Sequence, residues 1–171
     1  SPFEGQIFIA DQTHSNLLRL DTEKVNGGEQ GVIIPFVQGL ASGAIRPIFL
    51  PDGSLLVGQT GRGWQSRGGH VASLQRIYWD GETLEPTIET VKVTAEGFDV
   101  HLTHPVSADL DSDALADRFS LESWTYRDAA DYGSPELGRR TEDVRALSLS
   151  ADRKVVSLKL ATTEIPEVHP E

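Results

Sequence analysis

The chain has no cysteine and no methionine among its 171 residues. Disulfides, zinc–thiolate sites and haem-attachment motifs are therefore excluded, and the redox compartment leaves no mark on the sequence. The missing initiator methionine points to a processed product or an excised piece of a longer chain. No apolar run approaches about 18 residues, so no transmembrane helix or signal peptide is expected. Basic residues are scarce: 15 Lys and Arg stand against 26 Asp and Glu, a net charge of −11 and a pI of about 4.8. That balance argues against nucleic acid, which calls for clustered Lys and Arg, and against anionic membranes. There is no P-loop, no dinucleotide fingerprint and no Ser-His-Asp signature.

What remains is the composition of an ordinary globular protein, organised around residues 46–64. Ile48-Phe-Leu50 reads as the apolar end of a strand. Pro51-Asp52-Gly53 is a turn: Pro presets φ, Asp bonds its own backbone, and Gly accepts positive φ. Leu55-Leu-Val57 reads as a strand buried on both faces, and the glycine-rich Gly61-Arg-Gly-Trp64 follows. Upstream, residues 5–13 and 15–21 form a hairpin around His14-Ser15-Asn16. Asn26-Gly27 is a strong turn signal, and residues 31–38 are a third strand whose Pro35 marks an edge or bulge.

The first hairpin repeats. Gly5-Gln-Ile-Phe-Ile-Ala lies over Gly53-Ser-Leu-Leu-Val-Gly, and Leu17-Leu-Arg-Leu20 over Leu74-Gln-Arg-Ile77. A spacing of roughly 48 residues is in the range of propeller blades. Shared hairpin composition is the alternative explanation. After Tyr78-Trp-Asp-Gly81 the rhythm changes to short alternating strands at 89–94, 97–103, 144–149 and 154–160, with one helical turn at 113–117, which points to a small β-sandwich. The expected division is residues 1–82 as about one and a half blades and 83–171 as the second domain.

These strings resemble one family: Phe3-Glu-Gly-Gln-Ile-Phe-Ile-Ala-Asp-Gln-Thr, Gly31-Val-Ile-Ile-Pro-Phe, Arg46 with Pro51-Asp-Gly-Ser-Leu-Leu-Val-Gly-Gln-Thr-Gly-Arg-Gly-Trp, and Gly97-Phe-Asp-Val-His-Leu-Thr-His-Pro-Val. The family is that of secreted bacterial proteins with a glucose/sorbosone-dehydrogenase-like six-bladed propeller, often fused to cytochrome c. The resemblance implies the end of the propeller followed by an immunoglobulin-like domain, in a periplasmic or extracellular protein. It also implies a pyrroloquinoline quinone (PQQ) site in the full-length parent, to which Arg46 contributes. Ala44 stands where a second arginine is usual and Thr13 where a lysine falls, so this chain alone is expected to hold no cofactor and to be non-catalytic.

Arg62 and Trp64 are the local ligand-binding candidates, with Gln59 and Thr60 beside them. Glycines let the backbone approach a ligand, and an indole offers a flat face to a sugar ring. The alternative is a Trp packed on a blade flank beside a solvated Arg. Trp124-Thr-Tyr126 is a second possible platform. The chain is thus read as a non-catalytic part of a sugar-oxidoreductase-like protein, or else as a carbohydrate- or protein-binding module.

Two metal-like patterns are set aside. Residues 109–113 begin like a calcium loop, but Ala114 and Ser120 stand where Gly and Glu are required, leaving an acidic helix cap. His101 and His104 point to opposite faces, and His14, His70 and His169 are isolated.

Blades without neighbours leave apolar flanks. Ile7, Phe8, Ile9, Leu17, Leu18, Leu55, Leu56 and Val57 must face one another or a partner: the second domain, the rest of the parent, or a self-copy.

Overall fold

The computed structural model describes residues 3–79, 86–127, 130 and 133–161. It is nearly all-β and built of several small antiparallel sheets, as the alternating strings require. Two compact units divide the chain, Ser1–Glu85 and Pro86–Glu171. The boundary expected at 82/83, within residues 80–85, lies outside the described residues.

The first unit holds two three-stranded sheets. One is β1 (Ile7–Asp11), β2 (Asn16–Val25) and β3 (Gly28–Val37) in that order; the other is β4 (Ala44–Phe49), β5 (Leu55–Thr60) and β6 (Ala72–Ile77) in that order. Asn26 (φ 50°) and Gly27 (φ 84°) make the tight turn between β2 and β3, both in the left-handed region that such hairpins need. β3 starts three residues earlier than expected because that turn pairs Gly28 directly with Val25. Pro35 does lie on an edge strand beside a bulge, since the pairing jumps from Leu18–Pro35 to Leu17–Val37.

The sequence repeat survives in three dimensions. β1 pairs with β2 as Ile7–Leu20, Phe8–Arg19, Ile9–Leu18 and Ala10–Leu17. β5 pairs with β6 as Leu55–Ile77, Leu56–Arg76, Val57–Gln75 and Gly58–Leu74. Every pair in the first hairpin maps onto its repeat counterpart in the second. Among the described strands β1 has a neighbour on one side alone, whereas its counterpart β5 is central, with β4 beyond it.

The two sheets pack face to face. Leu17, Leu40, Ala44, Leu55 and Val57 form the buried core, with Phe8, Ala10, Phe36, Val37 and Ile77 against it. Phe8 meets both Phe36 and Phe49 edge to face, at 5.1 and 5.0 Å between centroids. Arg19 is 1% exposed and places its guanidinium 3.9 Å over the Phe3 ring while donating to Gln6 Oε1 at 2.6 Å. Burial along β5 alternates, with Leu55, Val57 and Gln59 buried and Leu56 half-buried. The expected strand buried on both faces is therefore buried on one face and half-buried on the other.

The second unit has a four-stranded sheet ordered β11 (Val144–Leu149), β12 (Val155–Leu160), β8 (Gly97–Leu102) and β7 (Ile88–Thr94), and a two-stranded sheet of β9 (Leu121–Tyr126) and β10 (Glu136–Glu142). Its core is Val100, Val156 and Leu158, on which Phe119 and Leu121 also pack. The helical turn is α1 (Ser112–Ala116), and Asp111 caps it by accepting from the Ala114 N–H at 2.8 Å. Arg153, at φ 60°, fixes the loop before that turn: its Nε donates to the Val106 carbonyl at 2.9 Å and an Nη to the Leu110 carbonyl at 2.6 Å.

Candidate functional site

The segment 61–70 joins β5 to β6 and is laced to the rest of the first unit. Gly61 N–H donates to the Val71 carbonyl at 2.9 Å, Arg67 N–H to the Thr13 carbonyl at 2.9 Å, Gly68 N–H to the Ser15 hydroxyl at 2.8 Å, and His70 N–H to the Ala41 carbonyl at 3.0 Å. Gly68 is required for this. A Cβ there would sit 2.5 Å from the backbone of Ala41 and Ser42. Ser15, at φ 57° and 1% exposed, aims its hydroxyl inward at that point.

Beneath the segment lies a buried amide network. Gln59 Oε1 accepts from Ser42 N–H at 2.8 Å, and Gln59 Nε2 donates to Gln75 Oε1 at 2.9 Å, which also accepts from Ala41 N–H at 2.8 Å. Ser42 Oγ donates to the His70 carbonyl at 2.7 Å. These bonds satisfy backbone groups that the crossing between sheets would otherwise bury alone. Gln59 therefore sits inside the unit with its amide committed, away from any surface ligand.

The other expected residues separate into two places. Trp64 is 60% exposed and, with Thr13, Gly61, Gly63 and Gln65, lines an open cleft of about 560 Å³. Arg62 is exposed, and Thr60 Oγ1 accepts from its N–H at 3.1 Å. Arg46 lies elsewhere, exposed on the outer face of β4 opposite Gly58. It lines neither this cleft nor its neighbour. Ala44 is buried in the core and Thr13 borders the Trp64 cleft. A polycarboxylate quinone needs several converging cations. On that open face Arg46 stands with Arg76, which is already paired with Asp52, so the residues present do not fit PQQ.

His14 is not isolated. Its Nδ1 lies 2.7 Å from Asp11 Oδ2, and its N–H donates to Asp11 Oδ1 at 3.0 Å. Partial burial pushes the Asp11 carboxyl up, but the His14 backbone N–H and ring outweigh it and hold the group below its ordinary value. The spacing of three residues across a turn was the available signal. His14 borders a second cleft of about 500 Å³, together with Arg67 and His70. Among the described residues no group of three His, Asp or Glu is placed to hold a metal ion. His169 lies outside the described residues.

The second platform is partly occupied by the protein itself. Arg139 stacks over Trp124 at 4.2 Å, and Trp124 Nε1 donates to the Tyr126 hydroxyl at 3.0 Å. Arg139 is in turn held by Glu136, through Nε at 2.8 Å, and by Glu122. A sugar ring would have to displace a paired guanidinium from that indole.

Searches for similar proteins return no matching family model, no matching curated protein and no matching solved structure.

Proposed function

We propose that this chain is the C-terminal portion of a secreted, sugar-oxidoreductase-like β-propeller protein and is non-catalytic by itself. One observation carries the reading: the two sheets of the first unit are repeats with the same cross-strand register, stacked face to face as successive blades are. The Pro51-Asp-Gly-Ser-Leu-Leu-Val-Gly string that resembles the dehydrogenase-like family is the turn and central strand of the second sheet. The chain contributes at most Arg46 to a PQQ site in the full-length parent, because Ala44 and Thr13 replace the other expected cations. The test is reconstitution of the parent with PQQ, followed by sugar-dependent dye reduction. The parent is expected to turn over and the chain alone to be inert. A parent with no such activity overturns the oxidoreductase reading, and equal activity of wild type and Arg46→Ala removes Arg46 from the site.

The exposure of Trp64 in an open cleft favours a second reading, a saccharide-binding surface formed by Trp64 and Arg62. Oligosaccharides should then shift tryptophan fluorescence in the wild type and not in Trp64→Phe. Trp79 and Trp124 are exposed too, so a shift that persists in Trp64→Phe would count against the cleft.

A further inference from the structure

Positive charge is scarce in this chain, yet one cleft of the first unit gathers it. The cleft of about 500 Å³ that His14, Arg67 and His70 share has eleven lining residues. None of the eleven is acidic, in a sequence with 26 acids against 15 Lys and Arg. Its volume is in the range of small-molecule sites. His14 reaches it from the turn between β1 and β2, and the other two from the segment that leads into β6.

The donors are available, and the backbone that carries them is fixed. Arg76, Arg139 and Arg140 are each held by a carboxylate, whereas Arg67 is exposed and has no ion-pair partner among the described residues. Asp11 engages His14 at Nδ1, which leaves Nε2 as the other polar atom of that ring. The N–H groups of Arg67, Gly68 and His70 are bound to Thr13, Ser15 and Ala41, so the segment is pinned at three points. Among them stands Gly69, which also lines the cleft. Its N–H has no acceptor among the described residues, and the space where a Cβ would stand is open. A guanidinium, two imidazoles and a backbone N–H around one concavity are donors of the kind that hold an oxyanion.

We propose that this cleft binds one oxyanion group, a phosphate or a carboxylate, of a small molecule. Arg67 supplies the permanent charge and its planar fork of donors, while His14, His70 and the Gly69 N–H add directed hydrogen bonds. The set serves a single such group and falls short of what a polycarboxylate quinone needs. The proposal holds whether or not the Trp64 surface takes a saccharide.

Titration of the full chain with inorganic phosphate or with acetate, at an ionic strength matched with sodium chloride, tests it by NMR. At least one of the two should saturate with a Kd of about 1 mM, the affinity that two charged hydrogen bonds supply. The signals that move should be the Gly69 and His70 amides and the Arg67 Nε–H. Saturation by phosphate assigns a phosphate group, and saturation by acetate alone a carboxylate. Arg67→Gln should weaken binding about tenfold or more, the loss of one charged hydrogen bond. Lys24→Gln removes the same charge from a side chain that lines neither cleft, and should leave binding unchanged. Both side chains are exposed, so both variants should fold, which circular dichroism checks. No saturation by either anion at about ten times the expected Kd overturns the proposal. So does undiminished binding in Arg67→Gln, or an equal loss in Lys24→Gln, which would mean diffuse attraction without a site.

Discussion

Leu17 and Leu74 occupy the same position in the two repeats, yet Leu17 is fully buried and Leu74 is 66% exposed. The difference comes from which face of each sheet meets the other, not from the strands themselves.

Truncation should expose that difference. Leu17→Ala removes atoms from the core and should cost about 2–5 kcal/mol. Leu74→Ala, measured at dilute protein, should stay within about 0.5 kcal/mol of wild type. Urea unfolding of both variants gives the comparison, and equal losses would mean that Leu74 is covered.

Gly68 and Gly69 make a second contrasting pair. A Cβ at Gly68 meets the Ala41–Ser42 backbone, which cannot rotate away, whereas one at Gly69 meets nothing within 4 Å. Gly68→Ala should cost about 1–3 kcal/mol, the range of overpacking, and should widen the cleft that Gly68 lines with His14, Arg67 and His70. Gly69→Ala should be neutral within about 0.5 kcal/mol. Thermal melts rank them; a neutral Gly68→Ala would show that the segment lifts freely.

Arg153 sets a backbone cost against side-chain bonds. Its left-handed conformation costs about 1–2 kcal/mol for a residue with a Cβ. Its guanidinium donates to carbonyls of Val106, Ser107 and Leu110, and a charged hydrogen bond is worth about 1.5–3 kcal/mol. Stability should thus fall from wild type to Arg153→Gly to Arg153→Ala, since glycine recovers the backbone cost and alanine recovers nothing. A glycine variant more stable than wild type would show that those bonds contribute little.

The carboxylates predict acid sensitivity. Asp52 is held below its ordinary pKa first by the Ser54 hydroxyl, Glu142 by that of Ser123, Asp152 by that of Ser150, and Glu96 by Lys159. A depressed folded pKa means that the unfolded chain binds protons first. The stabilisation is then present above the unfolded value of about 4 and lost as pH falls through the lower folded values. The melting temperature should drop over that window. Asp52→Asn should flatten part of the drop, because Asp52 also pairs with Arg76 across the hairpin. An unchanged acid profile in this variant would remove Asp52 from the set.

Much of the first unit was legible because its signals are local. Pro51-Asp52-Gly53 and Asn26-Gly27 specify turns by backbone chemistry, and the matched strings at 5–10 and 53–58 carry the register with them. The β9–β10 hairpin was not legible. Glu-Leu-Gly-Arg-Arg-Thr-Glu, residues 136–142, has one apolar side chain, and the bulge between Leu137 and Arg140 breaks what alternation exists. The site was legible only in part. Trp64 and Arg62 are exposed as a ligand surface requires, but Gln59 turned inward because the crossing at 41–42 needs an acceptor there. A polar residue that serves buried backbone looks the same in sequence as one that serves a ligand.

The bonds that hold segment 61–70 reach back to Thr13, Ser15 and Ala41, so its closure waits on hairpins laid down much earlier in the chain. Closing contacts across some fifty residues pays loop entropy that a local hairpin avoids, and the segment gains few apolar contacts in return. Its amides at Arg67, Gly68 and His70 should thus exchange with solvent before those of the sheets, which hydrogen exchange would measure. The cleft beside Trp64 shares that fate: it exists only while both sheets stand, and heat or force would erase it before either sheet came apart.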